Sequence, residues 1–379
     1  MRICMYSIDA VFNNRTGGSR RFVELLKALK NKGHNVELIS ADSLDIIISN
    51  GIKGFELNKG NKDKWLPGLR VVFNNRDIFR WIKYGKFDRV IVFDIRAGFS
   101  LVLNGINNIY LFLRQDLILY KEIMFDDQRS GRIKRKLFLT CGTLSEALCL
   151  KWAKKIIVTC EFDLNQLLNR HKLLRNEISR KSIVQINNIN PSWIIDSGRK
   201  YNSYIDHYRK YDLVFVGNFK DSRKGHNVLL PAIESLIEDG SVINTAIIGD
   251  GKQMDEYKRK FGNIKGINFL GRLADPISVI VSSRLMIVPS YVDSCPNTIM
   301  EALYYNVPVI GANRSGIPEI LNNSEWLFEL DVEEIKIAIK KSLDSAFNES
   351  LRKKQMIRRK ELFFDWGEKM VEIISKDGV

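Results

Sequence analysis

Two carboxylates, Asp293 and Glu301, stand eight residues apart inside the stretch VPSYVDSCPNTIMEALYYNVPVIGANRSGIPEIL, which runs from Val288 to Leu321. The pattern reads strand, loop, helix, strand, loop and the start of another helix, with the first helix predicted over about Thr298–Tyr305. That puts Asp293 in the loop and Glu301 on the helix. The loop Ser294-Cys295-Pro296-Asn297-Thr298 leads into the helix N-terminus. Backbone N–H groups there lack intrahelical partners, and the helix dipole favours an anion such as a diphosphate. A carboxylate beside that anion would repel it. Asp293 and Glu301 are therefore better suited to accept hydrogen bonds from hydroxyls, as a sugar offers. A sugar joined to a diphosphate satisfies both halves. Taken alone, the two acids read equally as a helix cap and a solvated helix acid; the surrounding stretch favours the chemical reading.

The elements that must hold these groups alternate along the whole chain. Arg2–Ser7 reads as a first strand. A Gly17-Gly18 turn opens a helix over Ser19–Lys32, with Phe22, Leu25, Leu26 and Leu29 on one stripe and Gly33 as its stop. Asn35–Ser40 is the next strand, which makes a parallel βαβ unit. The runs RVIVF (Arg89–Phe93), IYLFL (Ile109–Leu113) and KIIVT (Lys155–Thr159) continue the series, and Val184–Ile186 closes it. Residues 187–210 are polar, rich in Tyr, and read as a linker. A second series follows with strands at Leu213–Val216, Asn244–Ile248, Asn268–Leu270, Leu285–Val288 and Val307–Ile310. The expected fold is α/β, with two Rossmann-like doubly wound domains facing each other across a cleft and ligands at the carboxyl ends of the strands. The expected domains are 1–200 and 201–364.

Composition removes several classes. The 379 residues are 45% hydrophobic and 27% charged, which is globular. No apolar run is long enough for a transmembrane helix, and the N-terminus lacks a signal-peptide cleavage pattern. Five cysteines without a CxxC pair fit reduced thiols in a cytoplasm, and four scattered histidines suggest no metal. Net charge is +15, and its distribution is uneven. Residues 1–200 carry 35 Lys+Arg and 19 Asp+Glu; the rest carry 24 and 25. The whole surplus lies in the first half. Within it, residues 129–155 hold eight basic residues and one Glu, interleaved with Leu137, Phe138, Leu139, Leu148, Leu150 and Trp152. That is the composition of a basic amphipathic surface for anionic lipid, or of a core helix with a solvated basic face. A nucleic-acid partner would also suit the charge, but no nucleic-acid-binding motif accompanies it, so none is expected.

The stretch from Pro289 to Glu319 resembles the donor-site signature of retaining GT-B glycosyltransferases of family GT4. Pro289, Ser290, Asp293, Glu301, Ala302, Pro308, Val309, Gly316, Pro318 and Glu319 match in place. Val216-Gly217 followed by Lys224-Gly225-His226 resembles the family's strand-and-lysine diphosphate clamp. Gly249-Asp250-Gly251 resembles its G-x-G turn, although that pattern alone is also ordinary turn chemistry. Phe269-Leu270-Gly271-Arg272-Leu273 resembles the segment whose backbone reads the nucleotide base. Thr16-Gly17-Gly18 and Gly33-His34 resemble its first domain. Phe364-Asp365-Trp366 resembles the start of its last helix, which returns to the first domain over about 365–379.

The resemblance implies an enzyme that moves a sugar from a nucleotide diphospho-sugar, UDP-sugar favoured, to a hydroxyl of a glycan or polyprenyl-linked glycolipid. No metal or other cofactor is implied. Glu301 would hold ribose hydroxyls, Asp293 donor-sugar hydroxyls, and Lys224 the diphosphate leaving group. Gly17 and Gly18 would approach the diphosphate from the first domain, and Gly217, Gly249, Gly251, Arg272, Leu273 and the 294–298 loop would complete the donor site. His226 reads as a packing or capping histidine. The chain departs from the family at several places. The usual first Glu is Asp293. The usual Arg after the strand glycine is Asn218, which costs the clamp a cation unless Arg223 supplies it. The Gly after the signature helix is Asn306, and a Gly-Gly pair is Ser315-Gly316. A histidine often found in the first-domain cleft has no counterpart; Arg114 and Asp116 are the nearest acceptor-site candidates. The alternatives are a catalytically silent GT-B partner subunit, suggested by Asn218 and Asp293, and a GT-B sugar epimerase. The basic half would face the acceptor and an anionic membrane, at the inner face of the cell membrane.

Overall fold

The computed structural model describes residues 1–12, 17–58, 69–127, 131–190 and 209–376. They belong to two compact units: Met1–Ile118 with Gly131–Gln185 and Asp365–Val379, and Leu119–Ser130 with Ile186–Phe364. The chain therefore divides at Gln185 instead of residue 200, and the stretch 119–130 groups with the second unit. Residues 191–208 of the expected linker, Thr16, and Arg129 of the basic stretch lie outside the described residues.

The first unit is a seven-stranded sheet of β1 (Arg2–Tyr6), β2 (Asn35–Ser40), β3 (Lys53–Glu56), β4 (Arg89–Val92), β5 (Ile109–Leu113), β6 (Ala153–Val158) and β7 (Ser182–Val184). Its order is β3-β2-β1-β4-β5-β6-β7, and every pairing is parallel. The second is a six-stranded parallel sheet of β8 (Tyr211–Val216), β9 (Thr245–Ile248), β10 (Ile267–Gly271), β11 (Ser283–Val288), β12 (Val309–Ala312) and β13 (Leu327–Phe328), in the order β10-β9-β8-β11-β12-β13. Both sheets thus reverse their winding once, between β1 and β4 and between β8 and β11. The crevice outside the strand ends at such a switch point is where doubly wound sheets bind ligands.

The central strands read as unbroken apolar runs because parallel strands covered by helices are buried on both faces. Val90, Ile91, Val92, Leu111, Ile247 and Ile287 are fully buried. The helix Gly17–Asn31 buries Phe22, Leu25, Leu26 and Leu29, the predicted stripe, and Gly33 follows it at φ 78. The last helix, Trp366–Ser375, is capped by Asp365 accepting from the Glu368 N–H. It packs on the first helix, where Lys32 and Glu368 pair at 2.7 Å.

Two strands were not anticipated. β3 (KGFE) is an edge strand with three charged or glycine positions in four, and β13 has only two residues. Neither carries an apolar run long enough to announce itself. The signature helix spans Asn297–Tyr304, one residue earlier than expected. Asn306 sits at φ 57, the left-handed conformation its glycine counterpart would adopt.

Candidate functional site

In the second unit the loops at the carboxyl ends of β8, β11 and β12 are tied to one another by backbone. The Tyr291 N–H donates to the Arg223 carbonyl at 2.9 Å, and the Gly316 N–H to the Asp293 carbonyl at 3.2 Å. On the other side the Phe219 N–H donates to the Asp250 carbonyl at 2.7 Å, and the Gly249 N–H to the Gly271 carbonyl at 2.9 Å. Gly225, at φ 76, lies so close to the Pro289 carbonyl that any Cβ would overlap it. Side chains on Gly249 or Gly251 would strike the backbone of Gly217 and of Phe219–Lys220. The G-x-G turn therefore serves first to let three loops interlock.

This scaffold brings together two groups 69 residues apart in sequence. The Lys224 ammonium is paired with the Asp293 carboxylate, and their side chains are only 19% and 15% exposed. Lys224 leaves a one-turn 3₁₀ segment, Ser222–Lys224, held by Asp221, whose side chain accepts from the Arg223 N–H. Asp127 also grips it, accepting from the Ser222 N–H at 2.6 Å and from its hydroxyl at 2.7 Å. Arg223, the candidate replacement cation, turns elsewhere. Its guanidinium lies 4.7 Å from the Tyr120 ring centre and its Nε is 3.7 Å from Asp221.

Glu301 stands on the second turn of Asn297–Tyr304, whose other face buries Ile299, Met300, Ala302 and Leu303. Pro296 begins that helix, and no side chain caps it. The first amides after Ser294-Cys295-Pro296 thus have no capping side chain from Pro296, although the Ile299 N–H donates to the Pro296 carbonyl at 3.1 Å; a helix start of this kind suits an anion. Several buried polar atoms around these loops make no hydrogen bond among the described residues: Asn218 Oδ1, His226 Nδ1, Asn227 Oδ1, Ser294 Oγ and Ser315 Oγ. An orphaned buried polar atom costs about 1–3 kcal/mol. All five belong to the segments that follow three adjacent strands, β8, β11 and β12. Arg272 is 83% exposed beside Asp250, while Leu273 packs on the core.

In the first unit Gly17 and Gly18 open the first helix, and Arg114, just beyond β5, lays its guanidinium against Gly18. A Cβ on Gly18 would overlap it. Nearby charges were missed from sequence. Arg96 pairs with Asp9 at 2.9 Å and reaches Asp94 at 3.6 Å; Asp94 caps the helix Ile95–Leu103 through the Ala97 N–H. Their only signal was position, immediately after the ends of β1 and β4. Asp116 does not join this group. Its buried carboxylate is ion-paired with Arg170, which also holds Glu146 at 2.7 Å, and Glu146 accepts a 2.7 Å contact from His171. Asp116 is thus engaged in an internal network and not presented to an acceptor. Among the described residues no group of three or more His, Cys, Asp or Glu could hold a metal ion.

His226 is fully buried, with Nε2 3.0 Å from Gln253 Oε1 and its ring 4.3 Å from Phe219. Burial lowers its pKa below the ordinary value. The unfolded chain then takes up the proton first as pH falls. The stability from a neutral His226 is fully present above about pH 6.5 and is lost as pH drops through the lower folded value. Melting temperature should fall between pH 7 and 5, and His226→Gln should flatten that slope. An unchanged slope in the variant would remove His226 as its cause.

Residues 210–345, about a third of the chain, match the family model described as glycosyl transferases group 1. Protein CapJ of Staphylococcus aureus is 29% identical over 140 residues, covering 36% of each protein, so the match spans about a third of that relative's length. A Campylobacter jejuni protein, GalNAc-alpha-(1->4)-GalNAc-alpha-(1->3)-diNAcBac-PP-undecaprenol alpha-1,4-N-acetyl-D-galactosaminyltransferase, is 28% identical over 162 residues, 41% of this chain and 44% of that one. Among solved structures, HepE of Anabaena in complex with UDP aligns over 99% of this chain and 100% of its own, with a TM-score of 0.70 at 12% identity. At that identity the likeness speaks for the fold.

Proposed function

From a chain that is GT4-like, of GT-B fold, with residues 210–345 in glycosyl transferases group 1, we propose a retaining glycosyltransferase acting on a nucleotide diphospho-sugar. The observation that carries this reading is the constellation at the β8–β11 switch point. There a partly buried lysine pairs with the Asp293 carboxylate, and a helix start without a capping side chain, Glu301 on that helix and several unsatisfied polar atoms lie on the segments that follow β8, β11 and β12. Cation and amides suit a diphosphate, and the carboxylates suit hydroxyls.

In the proposed reaction the acceptor hydroxyl attacks the anomeric carbon from the face the nucleoside diphosphate leaves. The bond from that carbon to the phosphate oxygen breaks, a bond to the acceptor oxygen forms, and the acceptor proton passes to the departing phosphate. Lys224 exchanges its Asp293 contact for the diphosphate and stabilises the charge developing there. Asp293, released, and Glu301 accept hydrogen bonds from donor hydroxyls. The protein's work is then positioning and charge stabilisation. UDP is the favoured nucleotide, supported by the Anabaena structures solved with UDP and with UDP-glucose. A thermal-shift screen against nucleotide sugars tests the reading. A true donor at a hundredfold excess over its Kd adds about 2.7 kcal/mol of stability and raises the melting temperature. No shift and no turnover with any donor would count against it.

The acceptor proposed is a glycan or polyprenyl-linked glycolipid in surface-polysaccharide synthesis, bound by the first unit; the name of the Campylobacter relative supports the lipid-linked class. No helix among the described residues is long and apolar enough to cross a membrane. The helix Arg132–Trp152 instead exposes Ile133, Leu137, Leu144, Leu148 and Trp152. At 100° per residue these fall on one stripe. Lys134, Lys136 and Lys151 are exposed on the same helix, and its one acid, Glu146, is buried and paired. An apolar stripe with basic residues on the same helix suits the interface of an anionic bilayer, which supports a peripheral position at the inner face of the cell membrane as part of this proposal. Lys134→Glu with Lys136→Glu should cut binding to phosphatidylglycerol vesicles about tenfold or more. Full co-sedimentation of that variant would refute the contact.

A further inference from the structure

The turn that carries Lys224 is anchored by a helix that the sequence places elsewhere. The helix Leu117–Asp127 follows β5 in the chain, yet from Leu119 onward it belongs to the second unit. Tyr120 and Asp127 are seven residues apart on it, about two helical turns, and so share one face. Both meet the turn. Asp127 commits both carboxylate oxygens to one residue: Oδ2 accepts from the Ser222 N–H at 2.6 Å and Oδ1 from the Ser222 hydroxyl at 2.7 Å. The Arg223 guanidinium lies 4.7 Å from the Tyr120 ring centre. Burial, with the nearby charge of Asp221, raises the pKa of the Tyr120 phenol, so it keeps its proton.

A 3₁₀ segment of three residues, Ser222–Lys224, is too short to hold itself. Its first N–H groups have no partner within the turn. Asp221 takes the Arg223 N–H at 3.2 Å, and Asp127 takes the Ser222 N–H. On the far side, the Tyr291 N–H donates to the Arg223 carbonyl at 2.9 Å. The Lys224 ammonium extends from this turn on a flexible four-carbon stem, so its place is only as well defined as the base of that stem. Hydrogen bonds to an ionised carboxylate are shorter and stronger than neutral ones, and a bidentate pair fixes direction as well as distance.

We infer that Asp127 is a positioning residue for Lys224: through Ser222 it fixes the turn so that the ammonium stands where the departing diphosphate is stabilised. This rests on the nucleotide-sugar reading of the site. Asp127 acts through Ser222 and not on the donor. A small displacement of a charge-stabilising group slows a reaction out of proportion to the distance moved. Asp127 is exposed to solvent, which weakens its hold, so the expected effect is smaller than the loss of Lys224 itself.

The experiment is a double-mutant cycle on wild type, Asp127→Ala, Lys224→Ala and the variant carrying both, with Asp127→Asn as the conservative change. Each is titrated calorimetrically with UDP, GDP, ADP and dTDP, and with the matching nucleosides by competition. Turnover is followed with the sugar conjugate of the preferred diphosphate. The titration stoichiometry counts folded molecules, so partial unfolding is not mistaken for weaker binding. Asp127→Ala should lower kcat and the affinity for the preferred diphosphate about tenfold each, while the nucleoside binds as it does to wild type. Asp127→Asn, which keeps one acceptor oxygen, should fall between. In the Lys224→Ala background, Asp127→Ala should cost nothing further, because the group it positions is gone. The same loss in both backgrounds overturns the inference, as does an equal loss for nucleoside and diphosphate, or an unchanged Asp127→Ala; each leaves the donor site standing. Lys224→Ala with wild-type affinity and turnover overturns the clamp and this inference with it. A wild-type protein that binds none of the panel overturns the donor reading itself, and the inference falls too.

Discussion

Lys224→Ala lowers kcat by about two to three orders of magnitude, the loss seen when one stabilising donor is removed from a developing oxyanion. In the proposed reaction the departing diphosphate gains charge as the sugar–oxygen bond breaks, and Lys224 is the side chain assigned to meet it. The substitution does a second thing. It strands the Asp293 carboxylate, 15% exposed, without the ammonium it pairs with. An unpaired, partly buried carboxylate is unfavourable by itself and repels the diphosphate that should occupy the site. Lys224→Ala should therefore weaken nucleotide-sugar binding as well as slow turnover. Adding Asp293→Ala should recover part of the binding but not the rate. Steady-state kinetics with calorimetric titration separates the two effects. Unchanged kcat in Lys224→Ala would end the leaving-group role.

Glu301→Ala should remove nearly all transfer while the protein still folds. Glu301 is half-buried and is not among the residues that Asn297–Tyr304 packs into the core, so its truncation leaves that packing in place. A carboxylate accepting hydrogen bonds from two hydroxyls contributes about 1.5–3 kcal/mol for each. Losing both lowers kcat/KM by about a hundredfold to ten-thousandfold or more. Glu301→Gln keeps one acceptor oxygen and should fall between. A folded Glu301→Ala enzyme with wild-type turnover would refute the assignment of this site.

Much of this was legible before any coordinates. RVIVF and IYLFL announce central strands because a strand sandwiched between helix layers has no polar face to show. The edge strand KGFE has no such run, since one of its sides is open, and it could not be read. The spacing of Asp293 and Glu301 was informative because one strand, one loop and one helix carry both, and local geometry decides where each falls. The left-handed position of Asn306 was likewise readable, since the helix before it must end.

Long-range partners were not legible. Lys224 and Asp293 both belong to the candidate site by their motifs, but nothing local says that they pair. That follows from β8 and β11 lying side by side at the switch point, although β9 and β10 separate them in sequence. Asp116 reads as a strand-end acid; its commitment to Arg170, 54 residues on, is set by where a later helix ends. Arg114 resting on Gly18, and Asp127 gripping Ser222, are of the same kind. The sequence by itself determined the alternation of strands and helices, the placing of Asp293 on a loop and Glu301 on a helix within the 288–321 stretch, and the unequal charge of the two halves, because these depend on composition and short-range periodicity. Only the tertiary structure decided which charges neutralise one another and which polar atoms remain unsatisfied. Those depend on strand order and loop packing, where residues distant in sequence meet and burial makes each unmet hydrogen bond costly.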